Sequence, residues 1–322
     1  MKTTEVLIVG GGPAGSSCAK RLREHGVDCL LLDRHDFPRT KLCAGWITPE
    51  VISDLKLEIS EYPHRFLTFE TIIVHFFGLS FRLRATQHSI RRFEFDHWLL
   101  QRSGVEVIRH QVKKIERVYG DYVIDGEFSS KYLVGAGGTH CPVFRSLFSE
   151  THPRGMELQA LALECEFPFE WKDGDCHLWF FHKGLPGYSW YVPKAESYLN
   201  VGLGAIGQKL KKKGDSIKNH WHLFLEHLER VFPVSETQIR QAGHSYFLRG
   251  SKDVEQKDNA FVIGDAAGLA TRDLCEGIGP AIRSGIRAAD SIALGNPYRL
   301  SSINRLSLPG LLGRFLEWRF TS

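Results

Sequence analysis

The stretch TEVLIVGGGPAGSSCAKRLREHGVDCLLLDRHD, residues 4–36, decides the fold. Residues 6–9 are a continuous apolar run, the pattern of a strand buried on both faces. Gly10, Gly12 and Gly15 follow with GxGxxG spacing. In such a loop the first glycine lets the chain turn and the second lets backbone approach a pyrophosphate. The third lets helix and strand pack closely, and the N-terminus of the next helix faces the phosphates. Ala19 and Gly26 mark the packed face and the end of that helix, and residues 27–32 form a second strand. Asp33 closes it at the spacing, ~20 residues, where an acid bonds the ribose hydroxyls of an adenosine. Strand, helix, strand and acid in register predict a dinucleotide site, with Gly10, Gly12, Gly15, Asp33 and the adjacent Arg34 in it.

Composition sets the outer limits. The chain has 322 residues, enough for one large or two smaller domains. Apolar residues make up 43% and charged residues 24%, ordinary for a globular protein. A net charge of +4 is too small to argue for nucleic acid, and the lysine run QKLKKKG, residues 208–214, reads as a solvated loop or helix start. The seven cysteines are scattered singly, with no CxxC pair and no metal-ligand cluster, which predicts reduced thiols, no metal site and a cytoplasmic setting. No apolar run reaches the ~18 residues of a membrane span, and the strand that starts within four residues of Met1 leaves no room for a signal peptide.

A second GxGxxG spelling lies in SYLNVGLGAIGQ, residues 197–208, at Gly202, Gly204 and Gly207. It is read as a decoy. A lysine run and Gly214 stand where a phosphate-binding helix should continue, and the helical segment 217–231 leads to Pro233 with no acid-ended strand after it. Without a second dinucleotide domain, a nicotinamide coenzyme can act only as a transient electron donor, or else a protein supplies the electrons.

The far end of the chain separates FAD from NAD. DNAFVIGDAAGLATRDLCEGIGPAIRSGIRAAD, residues 258–290, holds a strand, then Gly264-Asp265, then a glycine-rich run into a helix. Here the sequence resembles the flavoprotein family that contains geranylgeranyl reductases, aromatic hydroxylases and flavin halogenases. The resemblance implies that Asp265 binds the ribityl chain of FAD. It also implies that Glu276-Gly277-Ile278 brings backbone amides to the pyrimidine edge of the flavin, where a helix N-terminus stabilises negative charge. IRRFEFDHWLLQR, residues 90–102, resembles the family's RxxFD segment through Arg92, Phe95 and Asp96, and the resemblance places Arg92 by the flavin. YLVGAGGTHCPVFR, residues 132–145, resembles its GADGxxSxVR segment, with Arg145 matching the arginine. Gly137 replaces that motif's aspartate, which in relatives lies between FAD and the nicotinamide donor, so ordinary NADPH use is in doubt.

Two stretches bear on substrate. RTKLCAGWITPEV, residues 39–51, resembles the KxCxG segment of the geranylgeranyl reductase branch, which sets Cys43 beside the flavin. GLPGYSWYVPK, residues 184–194, resembles the branch's YxWxFP segment through Tyr188, Trp190 and Pro193. The resemblance implies that Tyr188, Trp190 and Cys43 are the candidate catalytic residues, with Tyr188, on reach, the first candidate general acid and His140 a second. In that branch the aromatic strand is followed by a strand reading NVGLG, here 200–204.

The expected fold is α/β: an FAD-binding doubly wound sheet of the glutathione reductase-like Rossmann type with an antiparallel-sheet substrate domain. The FAD domain takes 1–62, 84–150 and 255–296, with a three-stranded excursion over 106–127. The substrate domain takes 63–83 and 151–254, and 297–322 is an amphipathic tail. The tail is expected to pack on the FAD domain, a membrane or a partner being its other resting places. The family's prenyl reductases carry a longer C-terminal region for the lipid. The expected function is reduction of a carbon–carbon double bond in an apolar, isoprenoid-like substrate by hydride from reduced flavin. Flavin monooxygenase, halogenase or protein-modifying chemistry is the alternative, and a non-catalytic FAD-binding protein the third. Expected partners are an apolar small molecule or protein substrate, a protein electron donor and peripheral membrane contact through the tail.

Overall fold

A computed structural model describes residues 1–232, 234, 239–254, 256–308 and 310–321. In chain order the elements begin β1 (Lys2–Val9), α1 (Pro13–Glu24), β2 (Cys29–Asp33), β3 (Trp46–Ile47), α2 (Pro49–Asp54), β4 (Leu67–Phe76), β5 (Leu79–Ser89), α3 (Arg92–Ser103), β6 (Glu106–Arg109), β7 (Ile115–Val118), β8 (Asp121–Ile124), β9 (Phe128–Gly135) and α4 (Pro142–Leu147). They continue with β10 (Gln159–Pro168), β11 (Cys176–Phe180), β12 (Gly187–Lys194), β13 (Tyr198–Ile206), α5 (Gly207–Lys212), α6 (Ile217–Val231), β14 (Ala242–Phe247), β15 (Gln256–Lys257), β16 (Ala260–Val262), α7 (Ile278–Leu294) and α8 (Gly310–Thr321). The chain divides into two compact units. The first is Met1–Arg39, Phe93–Gly155 and Tyr246–Arg314, and the second is Thr40–Arg92, Met156–Ser245 and Phe315–Ser322.

The first unit is built on a sheet of order β15-β16-β9-β1-β2-β6, parallel from β16 to β6. The second half of β1, Val6–Val9, is buried on both faces, which is why it reads as an unbroken apolar run. One face is covered by α1 and α7, through Ala14, Cys18, Leu22, Ala281 and Ala288. The other face packs on Ile124, Val143, Phe144 and Phe148 from β8, α4 and the segment after it. The expected three-stranded excursion divides differently. β6 is an edge strand of the main sheet beside β2, while β7 and β8 form a ribbon antiparallel to β9.

The second unit holds a curled sheet of order β14-β10-β13-β12-β11-β4-β5-β3. From β10 to β11 and from β4 to β3 its pairings are antiparallel, while β11 runs parallel to β4, a crossing that alternation within each strand could not reveal. α6 covers one face with His220, Trp221, Phe224, Leu225 and Leu228, the i, i+4, i+7 set of one helical stripe. Ser216 caps it by accepting the Asn219 amide at 3.3 Å. Each large side chain so buried is worth about 1.5–3 kcal/mol. Packing therefore holds this helix and leaves the opposite face of the sheet for other work.

The second glycine spelling is strand. Gly202 and Gly204 lie inside β13, paired to β10 and β12. A short helix, α5, begins at Gly207 and carries the lysine run, one of the two readings expected there, but it follows an antiparallel strand and ends after six residues. All seven cysteines are unpaired. No described helix is long and apolar enough to cross a membrane.

Candidate functional site

The cofactor motifs converge in the first unit. Gly10 has φ +117°, and a Cβ there would collide with the Ala136 carbonyl oxygen, so only glycine lets β1 turn beside the end of β9. Gly12 caps α1 with no side chain over the first-turn amides. The only atom within 4 Å of where its Cβ would stand, among the described residues, is Arg39 Nη2 at 3.6 Å. Bare amides at a helix start, with a guanidinium beside them, form an anion cradle. Arg39 is itself placed by the Phe37 ring, 4.7 Å from its Cζ, and by buried Asp96, 3.7 Å from Nη2.

Asp33, buried at the end of β2, accepts the Gly11 amide at 2.7 Å and the His35 amide at 2.9 Å. A carboxylate has about four lone-pair sites, so acceptor capacity remains for two hydroxyls. Arg34 points outward and bonds the His35 ring.

Across the same unit, Gly264 (φ +60°) packs where its Cβ would lie 3.0 Å from Ala14 and 3.2 Å from Ala281. The GD turn is thus locked to the starts of α1 and α7. Asp265 Oδ1 lies 3.3 Å from the Cβ position of Gly277, which caps α7 ahead of Ile278. Glu276 Oε1 accepts the Gly279 amide at 2.6 Å and fixes that start. Gly10, Gly12, Gly15, Asp33, Gly264, Asp265, Gly277 and Ile278 thus all belong to one unit. The uncapped start of α1, an open cradle at Gly12 and an acid with spare acceptors fit the pyrophosphate and ribose of FAD.

The segment matched to GADGxxSxVR holds two further residues of note, Arg145 and Gly137. Arg145 is exposed on α4. A half-buried cation of that region is Arg154, which donates to the Thr139 and Ala266 carbonyls at 2.6 and 2.7 Å and stacks 3.9 Å over Phe144. A Cβ at Gly137 would stand 3.2 Å from Cys141 Cα and 3.3 Å from Pro142 Cδ, so the space for the motif's aspartate is narrow.

Cys43, Tyr188, Trp190 and Arg92 fall in the second unit. Arg92, buried, opens α3. Two rows cross the sheet face away from α6. One is Phe76, Phe180, Tyr188, Gly204 and Ala162; the other is Val74, Leu178, Trp190, Gly202 and Glu164. Phe320 of α8 lies 6.4 Å from Tyr188 and 5.6 Å from Phe181, so the end of the tail packs in this unit. Trp190 Nε1 donates to Asn200 Oδ1 at 2.7 Å, and Asn200 Nδ2 donates to the Cys43 carbonyl at 3.3 Å. The indole and the cysteine loop are therefore held by one amide. Cys43 Sγ accepts the Gly45 amide at 3.3 Å.

Charge lies at the margin of this aromatic face. Lys194, fully buried, donates to the carbonyls of Ala44 at 2.6 Å and Ile90 at 2.7 Å. Burial pulls its pKa down, against the pull of Glu166, Cys43 and Glu164. Glu164, 1% exposed, is pushed up to about 7 by burial, against Lys194, Asn200 and Lys41 and with Glu166. Sequence reading missed Arg39, Arg154, Lys194, Asn200 and Glu164. Only Glu164 left a signal: in LALECEFP it holds the inward position of Ala160 and Ala162, where alternation asks for an apolar residue.

Comparison with known proteins agrees with this geometry. Residues 3–53 match the FAD binding domain family model. An uncharacterised protein of Methanosarcina barkeri is 28% identical over 98% of this chain and 84% of its own length. A digeranylgeranylglycerophospholipid reductase of Methanosphaera stadtmanae is 24% identical over 89% of this chain and 77% of that protein. The crystal structure of a geranylgeranyl bacteriochlorophyll reductase-like protein from Thermoplasma acidophilum superposes with TM-score 0.78 at 19% identity, over 92% of this chain and 79% of that one, a likeness of fold. With cofactor motifs from both ends of the sequence gathered in one unit, the chain is an FAD-dependent oxidoreductase, similar to the digeranylgeranylglycerophospholipid reductases and, in fold, to the geranylgeranyl reductase-like protein.

Proposed function

We propose that this oxidoreductase reduces a carbon–carbon double bond in an apolar, isoprenoid-like molecule. The observation that carries the reading is the aromatic face of the second unit. Phe76, Phe180, Tyr188, Leu178, Val74 and Trp190 form one apolar surface on the side of the sheet that α6 leaves alone. Such a surface suits a chain of branched hydrocarbon and offers few groups that would bind a sugar or a charged substrate. FAD, once reduced by a donor, supplies the hydride. The protein holds Trp190 in one orientation through Asn200 and confines charge to the margin of the face. The glycines at 202–207 belong to a strand and a short helix, which supports a donor that visits, whether a nicotinamide coenzyme or a protein.

Contact with a membrane surface belongs to the same proposal. In the second unit Phe77, Leu79 and Trp318 are 70, 62 and 57% exposed. Phe315 joins them through Phe76, 5.9 Å away, and through Trp318, 6.1 Å away. Lys209 donates to the Arg319 carbonyl at 2.7 Å, which sets the exposed lysines 211–213 and Arg319 at the edge of the patch. Exposed aromatics rimmed by cations suit an anionic lipid surface.

The test is an anaerobic one. Protein loaded with FAD and reduced chemically is mixed with a geranylgeranyl lipid. Return of the oxidised flavin spectrum, with product heavier by a hydrogen pair, is the expected result. An oxygenated or halogenated product formed only in air would replace this reading with the alternative chemistry. A flavin that no donor reduces and no substrate reoxidises would make the protein a non-catalytic FAD binder.

A further inference from the structure

We propose that Thr271 is a positioning residue for the flavin, holding the peptide that leads to the Gly277 and Ile278 amides, an assignment that rests on FAD lying against those amides. The loop between the GD turn and α7, residues 267–277, lies wholly in the first unit. Its shape is strained. Cys275 stands at φ +57°, the left-handed region that a residue with a Cβ rarely adopts. Such strain persists only where the surroundings over-determine it, and it gathers at functional sites.

Thr271, 1% exposed, supplies much of that determination. Its amide donates to the Glu276 carbonyl at 2.9 Å, and its Oγ1 accepts the Glu276 amide at 3.0 Å. Both backbone groups of Glu276 thus end on one residue. The Thr271 carbonyl accepts the amide of strained Cys275 at 3.1 Å. The same Oγ1 lies 2.7 Å from Ser307 Oγ. A hydroxyl has one hydrogen and two lone pairs, so Oγ1 serves Glu276 and Ser307 together.

The loop is fastened to segment 305–308 beyond α7. Besides the Thr271–Ser307 bond, the Arg272 amide donates to the Arg305 carbonyl at 3.0 Å. Asp273, buried, accepts the amides of Ser307 at 2.9 Å and Leu308 at 2.7 Å. Of these three fastenings, the one at Thr271 also bonds the peptide that leads into α7. At that helix start Glu276 Oε1 takes the Gly279 amide at 2.6 Å. The Gly277 and Ile278 amides make no hydrogen bond among the described residues, which leaves them as donors for a ligand.

Negative charge builds at the pyrimidine edge of the flavin on reduction, and amide donors held there stabilise it. Their effect falls with distance, so a loosened Glu276 peptide weakens it. Thr271 therefore acts on reduced FAD more than on oxidised FAD. It does so through Glu276 and touches no cofactor atom.

The experiment titrates oxidised and dithionite-reduced FAD into apo-protein of wild type, Thr271→Val, Thr271→Ser and Ser307→Ala, and measures the reduction potential of bound FAD. Thr271→Val is expected to weaken reduced FAD about tenfold more than oxidised FAD, a fall of ~30 mV in the two-electron potential. Thr271→Ser keeps the hydroxyl and is expected to restore the wild-type ratio. Ser307→Ala loses one neutral hydrogen bond and is expected to move the ratio the same way by about threefold. A Thr271→Val protein that loses stability in urea but keeps the wild-type ratio overturns the assignment, makes Thr271 purely structural and leaves the FAD site standing. Thr271→Ser shifting as far as Thr271→Val overturns it too. Hydrogen exchange of wild type, with and without FAD, tests the site itself: the Gly277 and Ile278 amides are expected to slow at least about tenfold on binding. Unchanged exchange there overturns the site and the assignment together. If Thr271→Val fails to fold, Ser307→Ala decides in its place, an unchanged ratio overturning the assignment.

Discussion

Asp33 and Glu164 are buried carboxyls with opposite surroundings. Asp33 accepts two backbone amides, whereas Glu164 has no backbone amide on it and Asn200 as its polar side-chain neighbour among the described residues. Asp33→Ala should therefore act twice. Two amides lose their acceptor, at about 1–3 kcal/mol of stability, and FAD loses its ribose contact. Urea unfolding of the apo-protein measures the first effect and FAD titration the second, with at least a tenfold rise in Kd expected. Glu164 has the reverse sign. Its pKa in the folded state, about 7, exceeds the value of 4.5 in the unfolded chain. The stability tied to it is complete below the unfolded value and is lost as pH rises through 7, by at most about 3 kcal/mol. Glu164→Gln should remove that slope, so the variant gains on wild type between pH 5.5 and 8.5 in urea unfolding. An unchanged slope would mean that Glu164 is ionised throughout. Lys194→Met should be costly at any pH, because the carbonyls of Ala44 and Ile90 lose their donor together.

At the level of elements, α1 and α7 are held close by glycine. A Cβ at Gly285 would collide with the Ala14 carbonyl oxygen, and Gly264 fits between Ala14 and Ala281. Gly285→Val should part the two helix starts, costing about 1–3 kcal/mol in urea unfolding and weakening FAD more than Gly295→Ala, whose site is open. Equal FAD affinity in the two variants would show that the helix starts do not share the cofactor. The strands were less legible. Their inward and outward alternation was readable, yet the parallel pairing of β11 with β4 was not, because a strand's pattern names its buried face and not its neighbour's direction. The same limit hid β6, four residues long and largely exposed at the sheet edge.

At the scale of the molecule, each unit carries part of the chemistry. The first gathers the cofactor motifs, and the second presents the aromatic face and the exposed Phe77, Leu79 and Trp318. Wild type should sediment with vesicles containing an anionic phospholipid, and less with neutral ones. Phe77→Ser with Trp318→Ser should lower that binding at least fivefold without changing FAD affinity, and salt should weaken the rest. Equal binding to neutral and anionic vesicles would remove the part assigned to Lys209, Lys211 and Arg319. Concentration-dependent dimers lost in the double variant would make the patch a protein interface.

The sequence alone determined the dinucleotide fold, because a glycine loop and an acid-ended strand are local geometry written in adjacent residues, and the resemblance of the GD segment to a flavoprotein family named the cofactor. It also excluded a second dinucleotide site, since a strand followed by a lysine run cannot form that loop. Only the tertiary structure decided what stands around the flavin motifs and the aromatic strand. Arg39 beside Gly12 and Asn200 under Trp190 are contacts across 10 or more positions, and the register of β10 on β13 sets Glu164 opposite Gly202. A residue's type is printed in the chain, but its desolvation and its partners depend on which strands become neighbours.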